Sequence, residues 1–166
     1  MKKIVLIRAV SFILLLAVMV AIFLFSAETS AESSKTSGKV IVTVAKVIKP
    51  DFEELQPAEK EQFVGSLQSV TRTLAHFLIF AALGFFAINS LLTFKLNNKK
   101  KFLIAIAFSV VYALSDELHQ HFVPGRAFQL IDLTVDTFGS AFGILAWLIL
   151  FFIAKKIYKK RKLKRL

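Results

Sequence analysis

The stretch SDELHQHFVPGR at 115–126 holds two acids, two histidines, a glutamine and an arginine. Imidazole beside carboxylate is the material of proton transfer, with His76, Asp116 and His119 as candidate catalytic groups, and Arg126 is placed to stabilise a developing oxyanion. The same residue types suit ligation of zinc or another divalent ion. Asp116 and His119 are three residues apart and Glu117 and His121 four apart, so each pair can share a helical face. Asp116 and His119 are therefore the candidate metal ligands, but HExxH is absent and the two pairs point to different faces, so no metal is assigned. Ser115 is the nearest hydroxyl nucleophile, yet no nucleophile elbow surrounds it. Arginine offers a third chemistry, bidentate capture of a phosphate or carboxylate.

These groups follow FLIAIAFSVVYAL, a run of 13 residues from 102 to 114. As helix it covers about 20 Å, against the roughly 30 Å of hydrocarbon that a span must cross. Asp116 is thus expected below the membrane surface. Asp132 and Asp136 stand equally early in the next apolar run, and His76 lies one turn inside the end of the run before. Ionisable groups at membrane depth mark a functional site by default; the competing reading is a satisfied ion-pair network that fixes helix packing.

The whole chain supports a membrane reading. Its 166 residues are 56% hydrophobic, with mean hydropathy +0.66 and net charge +11. Apolar runs at 4–25, 74–94, 102 to about 121 and about 131–153 each approach the length of a transmembrane helix, and none shows barrel-type alternation. The fold class is all-α: an integral membrane bundle of about four transmembrane helices with an extracellular segment between the first and second. Three parts follow: 1–25, a first span acting as signal anchor; 26–73, an extracellular segment with an amphipathic helix; and 74–166, a three-helix core with a basic cytoplasmic tail. The alternative for the first span is a signal peptide cut after Ala31, but its apolar run exceeds a normal signal core.

Residues 1–8, the loop KLNNKKK and the tail KKIYKKRKLKRL hold 15 of the 22 lysines and arginines and none of the 11 acids. The positive-inside rule puts these regions, with both termini, in the cytoplasm, and every acidic residue outside. The tail reads as orientation and anchoring, or as attraction to anionic lipid. Nucleic acid is not an expected partner, because no aromatic platform interrupts the lysines. No cysteine is present, which excludes disulfides and thiolate chemistry. No glycine-rich phosphate loop or dinucleotide fingerprint occurs, so no nucleotide cofactor is expected.

Residues 26–38, beginning SAETSAESS, read as polar and flexible. KVIVTVAKVIKP follows and is either β-rich or an interfacial amphipathic helix. Pro57 starts a helix with Phe63, Leu67, Val70 and Leu74 on one face, running directly into the second span. In the fourth run Asp132, Asp136, Gly139, Gly143 and Ala146 share a stripe, and in the third so do Ala105, Ser109, Tyr112, Asp116 and His119. Packed together, these two stripes would form a closed base under a polar cup. Pro124 and Gly125 suit the centre of a type II turn that holds Arg126 over the acids. GSAFG serves internal packing or homo-oligomer contact.

The chain resembles the VanZ-like membrane proteins. The resemblance rests on Phe25 and Ser26 with the serines that follow, Arg72 with Ala75, His76 and Phe77, the block DELHQHFVPGR, and Asp132, Asp136, Gly139 and Gly143. It covers nearly the whole length. It implies a bacterial cell-membrane protein and an association with low-level resistance to teicoplanin, a glycopeptide with a fatty-acyl chain that acts at the outer face of the membrane. The expected ligand-binding set is Arg72, His76, Asp116, Glu117, His119, Gln120, Arg126, Asp132 and Asp136. Expected partners are membrane lipids, a lipid-linked cell-wall precursor or a lipoglycopeptide. The leading function is binding in an outward-facing cup, and the alternative is a hydrolase or transferase acting on an envelope lipid.

Overall fold

The computed structural model describes residues 2–163, and all their regular elements are helices: α1 Lys2–Ala27, α2 Ser30–Ile48, α3 Pro57–Ser90, α4 Asn98–His121 and α5 Leu130–Leu163, with a 3-10 turn at Phe52–Glu54. Helices α1, α3, α4 and α5 are each long and apolar enough to cross a membrane. Their burial pattern is that of a bundle in lipid. Val111 and Phe138 are 67% and 66% exposed, whereas Ser140, Glu117 and Asp136 are 0% exposed. Leucines and phenylalanines gain nothing by leaving hydrocarbon, so contact between helices falls to small and polar residues. The chain is a multi-pass membrane protein of all-α class.

The tightest seam joins α3 to α5. A Cβ at Gly84 would strike the backbone of Ser140, one at Gly139 the carbonyl of Phe77, and one at Gly143 the carbonyl of Ala81. Backbone against backbone at this range admits only glycine. The aspartate and glycine stripe of α5 therefore faces protein as its spacing indicates, but its partner is α3, not α4. The α4 stripe turns instead toward α1, where the Tyr112 hydroxyl donates to the Met19 carbonyl at 2.7 Å. GSAFG is used in internal packing.

Residues 26–38 differ from expectation. The polar stretch is helical, because Thr29 and Glu32 form a capping box at the start of α2 and because Ile41 and Ala45 are buried. That cap and those buried positions also make KVIVTVAKVI helix and not strand. The 3-10 turn reverses the chain, and buried Phe52 meets Phe63 with ring centroids 6.2 Å apart. Pro57 occupies the first turn of α3, whose capping box joins Gln56 and Glu59. From there α3 runs without a break through residue 74 to Ser90, so the helix continues directly into the second span as its sequence indicates. Leu91–Phe94, expected in the second span, form the turn that follows it. Phe63 and Leu67 are half-buried, while Val70 and Leu74 are exposed.

The two ends of the bundle differ in charge. At the basic end, Arg8 donates to the Thr93 hydroxyl and carbonyl. At the acidic end, the C-terminal turns of α1 and α4, the start of α5 and the middle of α3 converge.

Candidate functional site

Asp116 of α4, Asp136 of α5 and His76 of α3 meet at the acidic end, each offering one ligand atom within 4.8 Å of the others. Asp136 is fully buried and its Oδ1 lies 3.4 Å from His76 Nδ1, close but not aligned as a hydrogen bond. Among the described residues neither oxygen of Asp136 has a hydrogen-bond partner, nor has His76 Nδ1. Asp116 is held by the Ser26 hydroxyl at 2.9 Å and the Gln120 amide at 2.7 Å, both donating to Oδ2. Its neighbour Glu117 is also fully buried and has a different task. Its Oε2 accepts the Gln129 N–H at 2.9 Å, at the start of α5, where an anion complements unpaired amides and the helix dipole.

The turn after α4 is type II. Gly125 has φ 76° and the Arg126 N–H reaches the Val123 carbonyl at 3.1 Å. Arg126, however, does not sit on the carboxylates. It donates to Gln120 Oε1 at 3.2 Å and to the Phe25 carbonyl at 3.3 Å, and its Nε has no hydrogen-bond partner among the described residues. Burial pushes its pKa down, with the Arg72 charge acting in the same direction, but an arginine remains cationic throughout the physiological range. Arg72 takes the role expected of Arg126, pairing with Asp132 at 3.2 Å.

Two cavities meet at this place. A cleft of about 390 Å³ is lined by Arg72, Arg126, Asp132, Glu28 and Gln129 among others. A second, of about 400 Å³, is apolar and lies between α1 and α3, lined by Ile22, Leu78 and Ile79. Phe25, Ala75 and His76 line both.

Of the nine residues expected at the site, Arg72, His76, Asp116, Gln120, Arg126, Asp132 and Asp136 come together through these contacts, and Glu117 lies beneath them. His119 does not join. Its ring stacks on Phe23 of α1 at 4.7 Å, so Asp116 finds its imidazole in His76 across the bundle and not three residues along its own helix. The Glu117 and His121 pair is likewise separated: Glu117 is buried, and His121 is exposed against Phe122. Ser115 is exposed and donates to the Tyr112 carbonyl of its own helix, away from the acids. Ser26, Phe25 and Gln129 are site residues that composition and spacing did not single out. Ser26 stood only in the family pattern, and its position at the end of a long apolar run was the available signal.

A family model described as VanZ/LLP1 matches residues 11–152. No curated protein and no solved structure gives a significant match. The match reaches all four membrane helices, and of the residues that carried the resemblance Ser26, Arg72, His76, Asp116, Gln120, Arg126, Asp132 and Asp136 converge in space. The chain belongs to the VanZ/LLP1 family.

Proposed function

We propose that the protein is a bacterial cell-envelope membrane protein that binds an amphiphile with an anionic headgroup and an acyl chain. The observation that supports this is the junction of the two cavities: a polar cleft lined by Arg72 and Arg126 shares Phe25, Ala75 and His76 with an apolar groove between two membrane helices. The unpartnered Arg126 Nε offers a donor to a phosphate or carboxylate. The groove walls, Ile22, Leu78 and Ile79, offer an acyl chain the contacts it has in lipid. Concentration of 15 of the 22 basic residues in segments 1–8, 95–101 and 155–166 of the sequence favours cytoplasmic termini and an outward cleft. Occupants of this chemistry include an outer-leaflet phospholipid, a lipid-linked cell-wall precursor and, through the family association, an acylated glycopeptide, whose capture would contribute to teicoplanin-type resistance.

Native mass spectrometry of gently extracted protein tests the reading. Wild type is expected to retain a defined lipid or precursor that Arg126→Ala loses. Retention of the same species by a folded, membrane-inserted Arg126→Ala protein would sink it.

A second reading, hydrolysis or group transfer on such a lipid, is favoured by one contact, His76 beside Asp136 at 3.4 Å and bordering both cavities. It places the general base at His76, not at His119. Pure protein that forms no product from labelled envelope lipids, with or without divalent ions, would remove it.

A further inference from the structure

We propose that His76, Asp116 and Asp136 bind one divalent transition-metal ion, of the zinc or manganese class, at the junction of the two cavities. The inference does not depend on the lipid reading.

Three helices each contribute one donor to the cluster, and the donor atoms lie within 4.8 Å of one another. A tetrahedral zinc ion with ligands at about 2.0–2.2 Å separates adjacent ligand atoms by about 3.4 Å. His76 Nδ1 and Asp136 Oδ1 already stand at 3.4 Å, so one edge of such a polyhedron is in place and Asp116 needs only to draw in. One imidazole and two carboxylates form a mixed nitrogen and oxygen set suited to zinc or manganese, with further positions left for water or a ligand oxygen.

Asp136 gives a second, independent indication. It is 0% exposed, neither of its oxygens has a hydrogen-bond partner among the described residues, and its Oδ1 lies 3.4 Å from His76 Nδ1, which has none there either. Buried carboxylates are normally paired or ligate metal. Here the cations are engaged elsewhere: Arg72 pairs with Asp132, while Arg126 binds Gln120 and the Phe25 carbonyl. Among the described residues no lysine or arginine pairs with Asp116 or Asp136. One divalent ion matches the two carboxylate charges and gives His76 Nδ1 and one Asp136 oxygen a partner.

The surroundings fit a ligand set fixed from outside. The Ser26 hydroxyl and Gln120 amide both bond Asp116 Oδ2 and orient the carboxylate, the role that outer hydrogen bonds play around metal ligands. His76 borders both cavities, which gives the ion a route in and gives an anionic headgroup a route to the ion.

The test uses the full chain, free of any affinity tag, in nanodiscs of neutral lipid. After stripping with EDTA it is titrated with Zn²⁺ and, separately, Mn²⁺ by calorimetry, and bound metal is counted by mass spectrometry. Wild type is expected to bind one ion per chain and to gain thermal stability with it. His121→Ala, which removes an exposed imidazole, is expected to bind the same single ion, and His76→Ala and Asp116→Asn to bind at least tenfold more weakly. No stoichiometric ion in wild type with either metal would overturn the proposal without reliance on any variant. So would a single ion bound equally well by His76→Ala and Asp116→Asn.

Discussion

Polar groups are buried at both ends of the bundle, but they are treated differently. At the basic end Asn89 donates to the Ser11 hydroxyl at 3.0 Å and accepts the Trp147 indole N–H at 2.9 Å, tying α1, α3 and α5 together. At the acidic end His76, Glu117, His119, Arg126 and Asp136 supply six of the seven buried side-chain atoms that lack a hydrogen-bond partner among the described residues. A network selected for packing closes its bonds, because an unmade bond in low dielectric is costly. The basic end does so. The acidic end leaves these bonds open among the described residues, and that contrast is what the proposed ligand and metal readings rest on.

The largest expected effect removes the frame on which the comparison stands. Gly143→Val places a branched side chain where a single Cβ already meets the Ala81 carbonyl, so α3 and α5 must part. A loss of about 3 kcal/mol or more is expected, toward the upper end for overpacking, and both ends should fail together. Reversible unfolding in detergent would measure it. Full stability in this variant would mean that the seam is not where the fold is held.

The next substitution addresses the basic end alone. Asn89→Ala strands the Trp147 N–H and the Ser11 hydroxyl, and the loss should be about 1–2 kcal/mol, for two interhelical bonds in a membrane protein. Lipid and metal retention should match wild type. Loss of ligand with intact folding would break the division of labour between the ends.

Asp136→Asn should act in the opposite sense. It removes a buried charge at constant volume, and in EDTA the apoprotein should become more stable by about 1 kcal/mol, as happens when a poorly compensated buried ion is replaced. Metal binding should be lost at the same time. A variant markedly less stable than the stripped wild type would class Asp136 with Asn89, as structural glue.

How much of this the chain discloses before folding depends on the range of each interaction. The stripe of Asp132, Asp136, Gly139 and Gly143 is legible because helical period alone puts those residues on one face. The Pro124 and Gly125 turn is legible because its geometry is local. The partner of the stripe is not, since periodicity says which face is small but not that Gly84 of α3, rather than a residue of α4, lies opposite. For the same reason Asp116 suggested His119, three residues along its own helix, when its imidazole neighbour comes from α3. The first half of α2 is hidden by polar composition, because a capping box starts the helix and Ile41 and Ala45 are buried only on contact with the rest of the fold.

Ser26→Ala should have the smallest effect on stability and the most specific effect on binding. Ser26 is the point where α1 reaches the acidic cluster, donating to Asp116 at 2.9 Å, and Gln120 continues to hold the same oxygen when Ser26 is gone. Two interhelical bonds are lost, the donation to Asp116 and the longer one accepted from Gln120 at 3.4 Å, and no charge is stranded, so unfolding should change by about 1 kcal/mol. A carboxylate freed on one side is less well aimed, and loss of such an outer partner typically weakens metal affinity by about tenfold. At the basic end no substitution of similar size should move any binding constant. Equal, small effects on stability and on binding would mean that Ser26 only joins two helices, as Asn89 does, and the two ends would then differ in charge but not in purpose.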